Sequence, residues 1–308
     1  MNAGEQGRGT ALAYALGAHA FWGLMPVYLL FLQDVPSLEF VAWRLVFTLP
    51  LCLAIIAVFA NFNELKRVLC NRKVMLTLTA SSAIIAINWY LYIFSIQHGY
   101  VYAASLGYYI LPLTMMLLGL VFLKERLTRL QWGAVALATI GVAALATGAL
   151  TTMWLSLSMA ISFGIYGLLR KTVDAGPLTG LTVEAMILIP FALGVIGWFW
   201  RSPEGMAFGQ STKVSLALAA SGPITAAPMM MFAAAARRLP YTVVGFLQFT
   251  SPTIVFLLGL FVFGEELKPA QLACFVMIWA AAVLFSWSLF RGADPAPADE
   301  VTSRGAGH

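Results

Sequence analysis

Three ionisable side chains, His19, Arg44 and Glu184, stand inside long apolar runs. On insertion scales such a group costs about 3 kcal/mol at the middle of a membrane helix, so each calls for a partner or a task. Arg44 carries a planar fork of N–H donors that matches a carboxylate through paired hydrogen bonds. Glu184 can hold a proton or a cationic group, and His19 titrates in the range that proton coupling requires. Structural readings stand beside these. Arg44 and Glu184 can cap a neighbouring helix or snorkel to the nearer interface, and a lone histidine often serves only as a hydrogen-bond partner.

Aromatic residues gather in the same part of the chain: Trp22, Tyr28, Trp89, Tyr92, Tyr108 and Tyr109. Trp22 and Trp89 lie well inside their runs, not at the ends where an interfacial belt would place them. Flat rings can wall a cavity for an aromatic or amphipathic ligand, or simply pack. Asn88 and Gln248 are amides in apolar surroundings and need partners. The expected substrate-binding set is therefore Trp22, Arg44, Asn88, Trp89, Tyr92, Tyr108 and Gln248, facing one central cavity with Glu184. Glu184 and His19 are the proton-coupling candidates. Glu125 and Glu265 lie in turns and are expected to cap helix starts. Pro26, Pro112, Pro223, Pro228 and Pro252 fall inside apolar runs, where each removes a helix donor. Pro112 and Pro252 are read as structural, and Pro223 and Pro228 as a hinge or kink.

Other chemistries lack their residues. The chain has 3 histidines and 3 cysteines, Cys52, Cys70 and Cys274, too dispersed for a disulfide framework or a metal site. It has no His-Glu-x-x-His, no Gly-x-Ser-x-Gly and no Walker-type loop. An enzyme, a metal, a cofactor and ATP as energy source are accordingly not expected.

The elements that carry these residues are membrane helices. Hydrophobic residues make up 61% of the 308 and charged residues 10%, with mean hydropathy +0.86, against about 25% charged in a soluble domain. A bilayer core of about 30 Å needs about 20 apolar residues in a helix. Ten runs qualify, near 10–32, 38–59, 74–96, 102–123, 132–148, 153–170, 178–200, 214–236, 241–263 and 271–290, with the sixth expected to be the shortest span and the weakest. The first run is read as retained and not as a signal peptide. The polar segment 291–308 is expected to be a disordered cytoplasmic tail.

Basic residues collect on the cytoplasmic side of a membrane. With the N-terminus inside, Arg8, Lys66, Arg67, Arg72, Lys73, Lys124, Arg126, Arg129, Arg170, Lys171, Arg237, Arg238, Arg291 and Arg304 fall inside. Only Arg201, Lys213 and Lys268 fall outside, and Arg44 is within a span. Both termini are therefore expected in the cytoplasm. The net charge of +5 is assigned to topology and lipid contact, with no nucleic-acid partner. Oligomeric state is left unassigned.

A shift of 140 residues aligns the chain with itself. Pro112 meets Pro252, Leu117-Leu118-Gly119-Leu120 meets Leu257-Leu258-Gly259-Leu260, Glu125 meets Glu265, Leu127 meets Leu267 and Gln131 meets Gln271. Pro50 meets Pro190 and Arg44 meets Glu184. Five helices per half is odd, so the halves must be inverted in the membrane. The expected fold is all-α and integral to the membrane: ten transmembrane helices as two inverted five-helix repeats, 10–148 and 153–290. Such architecture is common among transporters, with the substrate near the midplane.

Motifs permit a family comparison. They are Asn88-Trp89-Tyr90-Leu91-Tyr92, Ala104-Ser105-Leu106-Gly107-Tyr108-Tyr109-Ile110-Leu111-Pro112, Lys124-Glu125-Arg126-Leu127, Ser162-Phe163-Gly164-Ile165-Tyr166-Gly167, Gly176-Pro177-Leu178-Thr179-Gly180 and Gly245-Phe246-Leu247-Gln248-Phe249-Thr250-Ser251-Pro252. From Ala11 to Phe290 the chain resembles the RarD family of EamA-domain proteins in the drug/metabolite transporter superfamily. The resemblance implies ten helices, two EamA repeats, a bacterial inner-membrane location and permease activity in the export direction, and it supplies no substrate. The expected substrate, a small amphipathic or aromatic molecule, follows from the aromatic residues, and alternating access from the repeat architecture. Proteins of that family are often labelled as conferring chloramphenicol sensitivity, a label that names no transported molecule. Leu111 stands where many relatives carry Asn. A lipid or lipid-carrier flippase would share this architecture, and a membrane-embedded enzyme is the more distant alternative.

Overall fold

A computed structural model describes residues 3–59, 62–98, 100–203, 205–264 and 269–290. Among these, every regular element is a helix: α1 Ala3–Leu29, α2 Ser37–Val58, α3 Phe62–Cys70, α4 Arg72–Gln97, α5 Val101–Phe122, α6 Arg129–Ala146, α7 Met153–Thr172, α8 Pro177–Arg201, α9 Thr212–Arg238, α10 Tyr241–Leu247, α11 Thr250–Phe261 and α12 Pro269–Phe290. Hydrocarbon offers no hydrogen bonds, so an apolar chain that crosses it must satisfy its backbone within each helix. Ten segments are long and apolar enough to cross, in agreement with the ten runs. The tail 291–308 and Glu265 lie outside the described residues.

Two local features depart from the sequence reading. The fifth span, α6, and not the sixth, is the shortest of the described spans at 18 residues, while α7 has 20. Pro223 and Pro228 lie inside α9, which is helical over 27 residues. The break falls in the ninth span, between α10 and α11. Pro252 has no N–H to offer the Gln248 carbonyl, which instead accepts from Ser251 N at 3.1 Å, and Phe249 N bonds Phe246 O at 3.2 Å. The turn tightens and the helix restarts. Pro112, its counterpart, lies within an uninterrupted α5. Helix α3 is an addition to the reading: a nine-residue amphipathic helix with Leu65 and Val68 buried.

The turns at 123–128, 173–176 and 239–240, with α3, form the basic end of the bundle; the turns at 33–36 and 202–211 lie at the far end. The central core draws on α1, α2, α4, α5, α7, α8, α9 and α10. Helices α6 and α12 contribute no described residue to it. They pack on one another and share a side core with α5 and α10, where Phe246 stacks on Phe285 at 4.1 Å. Helices α2 and α9 approach closely at Gly222, where a Cβ would stand 2.7 Å from the Phe47 carbonyl oxygen.

Carboxylates from the first half hold helix starts in the second. Glu125 accepts from Tyr241 N at 2.6 Å and Thr242 N at 2.8 Å. It thus caps α10, not the helix that follows it in sequence, because α6 already has a capping box from Thr128 and Gln131. Glu64 accepts from Gly176 N and Thr179 Oγ1, both at 2.8 Å, at the start of α8. Cations serve the opposite polarity: Lys171 Nζ donates to Ala236 O and Leu239 O at the end of α9, where a helix presents unpaired carbonyls. Replacing Glu125 strands two buried amides. Glu125→Ala is expected to lower stability by roughly 2–3 kcal/mol, read as a fall in detergent Tm; an unchanged Tm would remove the cap from the account of the fold.

Candidate functional site

Two polar sites lie inside the bundle, toward opposite ends. The first is built on α2, whose seventh residue beyond Ser37 is Arg44. Its guanidinium lies over the Trp89 ring of α4, with Cζ 4.0 Å from the ring centroid, and is 5.9 Å from Phe40. Tyr92, one turn beyond Trp89, meets Tyr108 of α5 edge-on at 6.1 Å. Tyr28 of α1 donates to Ala217 O of α9 at 2.8 Å. The three tyrosines are the polar neighbours of the guanidinium. Arg44 Nε is buried without a hydrogen-bond partner, and among the described residues no carboxylate pairs with this arginine. Tyr108 is 39% exposed to solvent although it sits deep among protein atoms. Ser105, one turn away on the same face, is exposed too. Tyr108 thus borders a small opening in the bundle.

The nearest carboxylate along α2 is already committed. Glu39 is fully buried and accepts from Ala207 N at 2.9 Å, Phe208 N at 3.3 Å and Trp43 Nε1 at 3.1 Å. It ties α2 to the 202–211 turn and leaves Arg44 to the rings.

The second site centres on Glu184 of α8, 3% exposed, and Arg170 of α7, 1% exposed, with Nε 3.8 Å from Oε1. Ser81 of α4 donates to Glu184 Oε1 at 2.5 Å and Tyr166 of α7 donates to Oε2 at 3.3 Å. Arg170 Nη2 donates to Pro177 O at 3.1 Å. The guanidinium lies across the start of α8 because residue 180 is glycine; a Cβ there would collide with it. Arg170, Tyr166 and Ser81 were missed by sequence reasoning. Its place near a helix end assigns Arg170 to the cytoplasmic charges, whereas in the structure it is the buried ion-pair partner of Glu184. The available signal was Tyr166 and Arg170 at an i, i+4 spacing, one face of one helix.

Between the sites runs a narrow apolar seam. A cavity of about 10 Å³ is lined by Thr48, Trp89, Leu181, Glu184, Thr225 and Met229 among others. That is room for about one water. Trp89 thus faces Arg44 on one side and the Glu184 cavity on the other. A second cavity of about 10 Å³ lies beside Tyr108, Asn88 and Phe163.

The remaining candidates fall elsewhere. Asn88 ties helices: its Nδ2 donates to Met159 O and Ser162 Oγ of α7, both at 2.9 Å. Trp22 packs edge-on to Phe163 at 5.4 Å and near Phe232 and His19, each at 5.6 Å. His19 is fully buried in that aromatic group; neither ring nitrogen has a side-chain partner, and the Val244 backbone is its polar neighbour. Gln248 sits at the helix break with Nε2 3.5 Å from Ser251 Oγ, and Ser251 in turn donates to His19 O at 2.7 Å. Of the expected set, then, Arg44, Trp89, Tyr92 and Tyr108 come together. Trp22 and Gln248 do not join them, and Glu184 reaches the group only through the Trp89 seam.

Breaking a buried ion pair from one side leaves an uncompensated charge. Arg170→Met and Glu184→Leu are each expected to cost about 3–5 kcal/mol, with the double variant costing less than the sum of the two. Additive losses in Tm-based stability would show that the two side chains do not act as a pair.

The EamA-like transporter family matches residues 9–147. The chain is 40% identical to an uncharacterized transporter of Pseudomonas aeruginosa, over 90% of this chain and 94% of that protein. It is 37% identical to the protein RarD of Streptomyces exfoliatus, over 94% and 92% of the two chains, and 32% identical to RarD of Escherichia coli strain K12, over 92% and 96%. A protein crystal structure matches with a TM-score of 0.70 at 15% identity, over 90% of this chain and 97% of that one, a likeness of fold alone.

Proposed function

The chain belongs to the RarD family of EamA-like, drug/metabolite-superfamily membrane transporters, and from that membership we propose that it is an inner-membrane permease that moves a small aromatic or amphipathic molecule by alternating access. The observation that carries the reading is the cluster of Arg44, Trp89, Tyr92 and Tyr108, in which Tyr108 keeps exposed surface; we read it as a cleft. A cleft of that composition suits a flat ligand with one polar end. Export follows from the family resemblance. The absence of a nucleotide-binding loop in the sequence supports an ion gradient as the driving force.

The inverted repeat is supported by how the helices pair. The first span packs on the eighth as the sixth packs on the third, α1 with α9 and α7 with α4. The first also packs on the ninth as the sixth packs on the fourth, α1 with α11 and α7 with α5. Exchanging the two halves maps one contact onto the other, which is the relation alternating access requires. At the basic end the halves are bound by Glu125, Glu64 and Lys171, and by Arg67 to Asp174 at 2.5 Å. The wettable cleft lies toward the other end. In this conformation the path is therefore shut at the basic end, and we place that end in the cytoplasm, with both termini.

We assign proton coupling to Glu184, not His19. Protonating Glu184 would free Arg170 and change what faces the Trp89 seam, whereas His19 is enclosed by rings.

Two experiments test these statements. Cys70 is exposed at the basic end, while Cys52 and Cys274 are buried. In intact cells an impermeant thiol reagent should label Ser211→Cys in a Cys70→Ser background and should not label native Cys70; the reverse pattern would invert the topology. In proteoliposomes with a panel of aromatic acids, amides and amines, Trp89→Ala and Tyr108→Ala should lose at least about tenfold in affinity, ~1.4 kcal/mol, with near-normal Tm. Glu184→Gln should still bind but no longer accumulate ligand down a pH gradient. Ring variants that unfold while binding normally per folded molecule would refute the cleft, and normal accumulation by Glu184→Gln would refute the coupling role.

A further inference from the structure

Arg44 is the unusual group in this bundle. Among the described residues the buried carboxylates have counterparts: Glu39 and Glu125 hold backbone amides, and Glu184 has Arg170 at 3.8 Å. Arg44 faces three tyrosines and two aromatic rings and, among the described residues, no carboxylate. Its Nε is buried without a partner. Arg44 as a whole is partly buried, and a partly buried guanidinium without an anion leaves part of its desolvation cost uncompensated, which a bound anion would offset.

We propose that Arg44 is the anion-binding residue of the cleft and that the transported molecule is an aromatic carboxylic acid, bound as the carboxylate. The inference rests on the aromatic cleft proposed above and narrows its ligand. The stack on Trp89 fixes the plane of the guanidinium and covers one of its faces. Its in-plane donors remain for a ligand, and two parallel N–H donors fit two carboxylate oxygens. The Tyr92 and Tyr108 rings stand next to that position and suit the aromatic body of the same ligand.

The site also discriminates by what it lacks. An amino acid brings an ammonium along with its carboxylate. The ammonium would need an acceptor carboxylate, and those within reach along the helices are taken: Glu39 by Ala207, Phe208 and Trp43, and Glu184 by Arg170, Ser81 and Tyr166. It would also enter beside an uncompensated cation. A simple aryl or arylalkyl acid meets neither obstacle. An amine ligand meets the repulsion without the gain.

The test uses the full-length protein in nanodiscs and four indole probes of nearly one shape: indole-3-acetate, indole-3-acetamide, tryptophan and tryptamine. Indole-3-acetate should bind at least about tenfold tighter than the amide, ~1.4 kcal/mol, and tighter than tryptophan, with tryptamine weakest. Arg44→Gln and Arg44→Lys should erase the preference for acid over amide, because the acid loses much more affinity than the amide does, with ligand-free Tm nearly unchanged. Lysine keeps the charge but loses the fork and the stack, so its failure to rescue separates paired recognition from net charge. Equal affinity for acid and amide, tryptophan binding as tightly as the acid, or a preference that survives in Arg44→Gln would overturn the anion assignment. If amide binding is intact and is lost in Trp89→Ala, the aromatic cleft stands while the anion assignment falls. If no indole probe binds at all, both fall together.

Discussion

Carboxylates that hold backbone N–H groups across the two halves organise this bundle. Glu39, Glu64 and Glu125 all belong to the first half, and each accepts from amides in the second: Ala207 and Phe208, Gly176, and Tyr241 and Thr242. A helix start leaves N–H groups without intrahelical partners, and near hydrocarbon no water replaces them. A carboxylate meets that need with charge-assisted bonds and is itself stabilised by the helix dipole. Once these acids are so used, they are no longer available to cations. The free state of Arg44 is a consequence of where the acids went.

Arg44 and Glu184 occupy positions 140 residues apart but live in different surroundings. Glu184 has Arg170, Tyr166 and Ser81 around it. The residues 140 positions from those three are Leu30, Pro26 and Ser221. Leucine and proline supply neither charge nor hydroxyl, and Ser221 donates to Leu218 O in its own helix. Arg44 therefore has no equivalent network and rests on Trp89 and Phe40. One half neutralises its buried charge internally and the other does not. The two polar sites therefore differ in kind, an arginine among aromatic rings toward one end and an ion pair toward the other.

Polar side chains elsewhere bind helix to helix. Asn88 joins α4 to α7, Ser156 of α7 donates to Ala103 O of α5, and Ser251 donates to His19 O of α1. In a bundle where apolar burial is shared with lipid, such bonds and close small-residue contacts supply much of the specificity of pairing. They also explain why a polar residue within a span is an uncertain guide to substrate contact. Asn88 and Gln248 look alike in sequence to a binding amide, yet the amide donors of Asn88 are engaged by α7 and Gln248 sits at a helix break.

The ten spans, the basic end and the intramembrane charges were legible in the sequence, because apolar length and the placement of Lys and Arg are local properties set by the thickness and dielectric of the bilayer. It also singled out Arg44, Trp89, Tyr92 and Tyr108, whose polar or amphipathic character stands out against an apolar helix. Partnership between side chains came from the packing of the helices. Glu125 caps a helix 116 residues away, Arg170 turns inward to Glu184 across a bare glycine surface, and the helix break occurs before Pro252 but not at Pro112, Pro223 or Pro228. Such outcomes depend on which donors and acceptors the packing brings within about 3 Å of each other, a relation between distant segments that no local pattern of residues contains.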